Sequence, residues 1–77
     1  MDGAWSIMEL INFIQRVFPD KYSLHKANVF ARHWIMYNNS VCDIQSSPSG
    51  VIRYKISKLG WTLFISDLIK DATTQRS

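Results

Sequence analysis

Apolar residues recur along this chain in two different rhythms. Between residues 5 and 18, Ile7, Leu10, Ile11, Ile14, Val17 and Phe18 return every three or four positions, which gathers them on one face of a helix. Pro19 and Asp20 end that helix. Ser23 carries a side-chain acceptor placed to cap a second helix over residues 24–37. Its inner stripe is expected to be Ala27, Phe30, Ala31 and Trp34. His25, Asn28, Val29, Arg32 and Met36 then fall on the other side, with Lys26 and His33 on the flank. Asn38, Asn39 and Ser40 close the segment.

The rhythm next shortens to two. Residues 41–45 read as a strand, Ser46 to Gly50 as a turn, and residues 51–56 as the returning strand. Alternation puts Ile52, Tyr54 and Ile56 on one face and Val51, Arg53 and Lys55 on the other. Two strands are not stable alone in water, so the apolar face must rest on helices. Ser57 caps a third helix over 58–72, with Trp61, Phe64, Ile65 and Leu68 as its stripe; Leu63 and Ile69 extend the apolar surface beyond one face. Residues 73–77 are polar and expected to fray. The predicted order is α-α-β-β-α, an α+β fold, and 77 residues make a single domain over 1–77.

Charge adds a direction to this outline. The first fifteen residues carry Asp2 and Glu9 and no Lys or Arg, and residues 59–77 balance Lys70 and Arg76 against Asp67 and Asp71. Residues 16–58 hold seven Lys and Arg against Asp20 and Asp43, so the net +5 of the chain's centre exceeds the +3 of the whole. A concentrated base excess favours an acidic partner such as nucleic acid.

Other chemistries are poorly supplied. Cys42 is the single cysteine, which excludes an internal disulfide, leaves a structural zinc site short of ligands and suits a reducing cytoplasm. The opening Met-Asp-Gly-Ala-Trp lacks the basic and then apolar stretches of a secretory leader. No run of about 18 apolar residues offers a membrane span. His25 and His33 sit eight residues apart without an acidic neighbour, and neither a Gly-rich phosphate loop nor a nucleophile elbow occurs. Cys42 reads as a small apolar strand residue. The expectation is a cytoplasmic protein that is not an enzyme and has no catalytic residues, metal, cofactor or membrane partner.

A helix, a short strand, a Pro/Gly tip, a strand reading Arg53-Tyr54-x-Ile56-Ser57-x-x-Gly60 and a further helix resemble the back half of a winged helix-turn-helix DNA-binding domain. Residues 41–60 carry the resemblance best, and residues 8–40 fit it loosely. It implies a winged-helix-like domain with helix 24–37 as recognition helix, Ser46 to Gly50 as wing tip and the last helix as a common dimerisation element. The chain departs from the family in offering two helices before the wing rather than three, and the 19–22 loop is longer and more charged than a tight turn prefers.

The residues themselves are suited to that role. A recognition helix needs donors on its outward face to reach base edges in the major groove. His25, Asn28 and Arg32 share such a face and Lys26 flanks it; Lys21 and Ser23 lie near the helix start, where phosphate contacts are favoured. Arg53 and Lys55 would grip the backbone from the wing. The resulting expectation is a small regulator of transcription that binds double-stranded DNA through Lys21, Ser23, His25, Lys26, Asn28, Arg32, Arg53 and Lys55. Homodimerisation is expected through Trp61, Leu63, Phe64 and Ile69. The alternative is a protein-binding module, such as a small phage- or plasmid-type inhibitor that docks on a host complex, its bases meeting an acidic protein surface.

Overall fold

Ser6 opens the first helix in the computed structural model, which describes residues 3–75. Its hydroxyl accepts the Glu9 backbone N–H while the Glu9 carboxylate accepts the Ser6 N–H, a reciprocal capping box. Helix α1 spans Ile7–Val17, two residues shorter at its start than periodicity predicts. Trp5 lies outside it because its backbone is used elsewhere: its N–H and C=O exchange hydrogen bonds of 2.9 and 2.7 Å with Tyr54.

Helix α2 spans Leu24–Tyr37, with Ser23 as its cap, matching the predicted bounds. Ala27, Ala31, Trp34 and Ile35 are buried along it. Phe30, predicted for the same stripe, is half-buried at its margin. After a 3₁₀ turn over Asn39–Val41, strand β1 (Cys42–Ser46) pairs antiparallel with β2 (Ile52–Ile56). Val41, the first residue of the predicted strand, belongs to the turn instead, so β1 starts one residue later than predicted and takes in Ser46 from the predicted turn, while Val51 falls outside β2. The hairpin tip is closed by a Gly50 N–H to Ser47 C=O bond of 2.9 Å with Pro48 between them. Gly50 sits at φ +84°, a conformation that glycine adopts without the Cβ clash.

Helix α3 spans Lys58–Thr74. It runs past the predicted end at residue 72, and residues 76–77 of the expected frayed tail lie outside the described residues. The three helices meet at Phe64, which is fully buried. Its ring contacts Phe13 of α1, Phe30 and Trp34 of α2, and Trp61 of its own helix, at centroid separations of 5.0–6.3 Å. The third helix of the core therefore follows the hairpin in sequence. The fold is a small α+β arrangement of order α-α-β-β-α, compatible with the winged-helix-like outline.

Only the base of the hairpin is packed. Ile56 is buried, but Ile52 near the tip is about half exposed, so the apolar face predicted for β2 does not rest on helices along its whole length. Burial also corrects the dimer surface. Trp61 is 6% exposed and Phe64 0%; both are consumed by the core, and Leu63 and Ile69 alone remain at the surface of the four expected there.

Candidate nucleic-acid interface

The fourteen residues of α2 include no Asp or Glu. Its outward side carries exposed His25, Lys26, Arg32 and His33. Two of the expected contact residues are tied to each other: Arg32 Nε donates to Asn28 Oδ1 at 2.7 Å. The bond leaves the Asn28 amide NH₂ and the terminal guanidinium nitrogens of Arg32 as donors. Asn28 itself is half-buried on the flank of the helix, less projecting than a purely outward face predicts.

At the helix start, Ser23 Oγ accepts the Lys26 backbone N–H at 3.1 Å. Its main task is the cap, and the hydroxyl proton is what remains for another acceptor. Lys21 lies in the turn before it, its N–H bonded to the Phe18 carbonyl at 3.1 Å and its residue half-buried.

Two acidic side chains of α3 are tied to residues of the α2 side, while Asp20, beside Lys21, is exposed. Asp67 Oδ2 accepts Trp34 Nε1–H at 2.9 Å, and Asp71 Oδ2 accepts the Tyr22 hydroxyl and Gln75 Nε2–H. Two α3 carboxylates thus fasten α2 and the loop before it. The Tyr22 phenol is pushed well above its ordinary range, first by burial and then by its bond to Asp71. Periodicity gives no sign of these ties, because each joins residues more than thirty positions apart. The Ser6–Glu9 capping box was available from the sequence as the S-x-x-E pattern before an apolar run.

The hairpin is less basic than its sequence implies. Arg53 Nη1 donates to Glu9 Oε1 at 2.7 Å and to the Ala4 carbonyl at 3.3 Å. This is the one ion pair among the described residues. Glu9 is held below the ordinary carboxylate range, chiefly by the Ser6 backbone N–H, with smaller help from the Ser6 hydroxyl and Arg53. Lys55 stands opposite Asp43 in the strand register. Each wing base therefore has an acidic neighbour, and Arg53 is already engaged.

Exposed Ile44, Val51 and Ile52 give the tip an apolar character instead. Cys42 is half-buried, and burial pushes its thiol up, away from the reactive thiolate. Among the described residues, no cluster of three or more His, Cys, Asp or Glu could hold a metal ion, and no helix is long and apolar enough to cross a membrane.

Comparison with protein-family models, curated proteins and solved structures found no match for this chain.

Proposed function

We propose that this chain is a small DNA-binding protein of winged-helix type, a regulator of transcription that lays α2 against the major groove. The observation that carries this reading is the sign of one surface. α2 has no carboxylate, its exposed bases are outside the one ion pair, and the nearest α3 acids are spent on Trp34 and Tyr22. Such a face attracts a polyanion at long range and supplies donors at short range. Lys26 and Arg32 carry the fixed charge, while Asn28 and His25 add donors suited to base edges. The hairpin plays a smaller part, through Lys55 and the backbone of its tip, because Arg53 is committed to Glu9. Dimerisation through the outer side of α3 would present two such helices to one duplex.

The test is fluorescence anisotropy of a labelled random-sequence duplex, titrated with the protein at several salt concentrations. Binding that weakens steeply with added salt supports phosphate contact. Absence of binding at low salt refutes the proposal.

A protein-binding role is favoured by one feature, the exposed Ile44, Val51 and Ile52 at the hairpin tip. A wing that meets phosphates has little use for apolar residues there, whereas a protein partner would cover them. On this reading, affinity for the partner depends on the tip isoleucines and only weakly on salt. Charged substitutions at Ile44 and Ile52 would abolish capture of that partner.

A further inference from the structure

α2 and the C-terminal half of α3 enclose an open groove of about 470 Å³, within the size range of small-molecule sites. Its walls are aromatic and aliphatic: Tyr22, Val29, Phe30, Trp34 and Tyr37. Three nitrogen bases, His25, Lys26 and His33, stand along one rim, all exposed. The i, i+4, i+8 spacing of His25, Val29 and His33 aligns them along one side of α2.

The groove contains one carboxylate, that of Asp71. Its Oδ2 accepts from both the Tyr22 hydroxyl and Gln75 Nε2. The acid is therefore occupied within the protein, whereas the bases on the opposite rim make no ion pair among the described residues.

We infer that this groove binds a small aromatic acid in its anionic form. The ring lies against the half-buried Phe30 and Val29 and the exposed Tyr37, where a ring face or edge is available for stacked or edge-on packing, with the nearly buried Tyr22 and Trp34 forming the floor. The acidic group lies at the rim, where Lys26 supplies a charge and His25 and His33 supply further nitrogen donors. The volume favours a small molecule over a peptide strand, and the unpaired bases select an anion over a neutral ring. This inference rests on the groove alone and stands whether or not α2 contacts DNA.

The experiment is an amide-resolved NMR titration of the intact protein with sodium 2-naphthoate, beside the neutral analogue 2-naphthamide. Saturable shifts should centre on residues 22–38 and 71–75, and the amide should bind about tenfold more weakly for want of charge-assisted bonds. Lys26→Ala/His33→Ala should lose affinity to a similar degree while keeping the fold, as read by circular dichroism. Val29→Trp, which fills the groove from its wall, should abolish the shifts. Overturning results would be shifts that do not saturate, shifts elsewhere in the chain, equal binding of acid and amide, or unchanged binding in a folded Lys26→Ala/His33→Ala variant.

Discussion

Tyr22 shows how much a single side chain can join. It is 3% exposed, touches Phe18 and Phe30 ring to ring, and donates its hydroxyl to Asp71 on α3. Tyr22→Phe keeps the ring contacts and removes the bond, leaving Asp71 with Gln75. Hydrogen bonds to charged groups contribute about 1.5–3 kcal/mol, and this partly buried one is expected at the low end. The loss depends on pH with a definite sign. The folded phenol ionises above its ordinary range, so as pH rises past about 10 the unfolded chain releases its proton first and the native state loses stability. The Phe variant lacks this sensitivity. Urea midpoints measured from pH 8 to 11 should therefore show the variant less stable at pH 8 and the gap narrowing towards pH 11.

Gly60 carries a different constraint. A Cβ there would lie 2.7 Å from Ile56 Cγ2 and 3.0 Å from Val41 Cγ2, while its N–H is taken by Ser57 Oγ at 3.0 Å. The Ile56-Ser57-x-x-Gly60 pattern thus has a local physical meaning: a strand end, a helix cap and the close approach between them. Gly60→Ala regains about 1 kcal/mol of helix propensity but overpacks a β-branched contact, at about 1–3 kcal/mol. The expected outcome is a net fall in the denaturation midpoint.

At the scale of elements, α2 and the hairpin differ in what they can offer a polyanion. Arg53 must leave Glu9 before it can meet a phosphate, and Lys55 faces Asp43, whereas Lys26 and Arg32 make no ion pair among the described residues. Each phosphate neutralised contributes about 0.9 to the slope of log affinity against log salt. Lys26→Ala/Arg32→Ala should flatten that slope by about 1 to 2, and Arg53→Ala/Lys55→Ala by less than about 1. Equal flattening by both pairs would restore the hairpin as a principal contact.

The sequence made this contrast only half legible. Period and caps revealed α2 to the residue because Ser23, the alanine–aromatic stripe and the Asn38–Asn39 end all agree locally. The alternation of β2 likewise revealed which face Arg53 occupies. It carried no information on Glu9, 44 positions away, which the capping box brings to the strand. Periodicity did set Trp61 and Phe64 on the inner stripe of α3 and Leu63 and Ile69 beyond it, but not how completely the stripe would be enclosed, and the expected dimer surface drew on both sets. That depends on where α1 and α2 cross α3, a property of packing rather than of any one segment.

For the molecule as a whole, one ring holds three helices together, and the outer side of one helix is left uncovered. Phe64 meets aromatic rings from α1 and α2 as well as α3. Removing such a ring costs about 3–5 kcal/mol, a large part of the roughly 4–12 kcal/mol expected for 77 residues at 0.05–0.15 kcal/mol each. Phe64→Ala should therefore lose its near-ultraviolet dichroism at 37 °C, while Phe64→Leu retains a fold with a lower midpoint.

The uncovered side of α3 displays Leu59, Leu63 and Ile69, from 38 to 62% exposed, with the exposed Lys58 and Lys70 beside them. Three large exposed apolar residues on one helix side, with no exposed carboxylate among them, favour pairing with a like surface. If two copies associate there, each brings its own α2, and a two-fold pair reads half-sites separated by about one helical turn, some 34–36 Å. Sedimentation equilibrium tests the pairing: the protein should associate as concentration rises, and Leu63→Glu/Ile69→Glu should remain monomeric with unchanged circular dichroism. The variant should also bind a random duplex with the salt slope of a single copy, because its α2 face is intact. A wild-type protein that stays monomeric at the highest concentration reached would exclude the pair and confine any DNA contact to one α2.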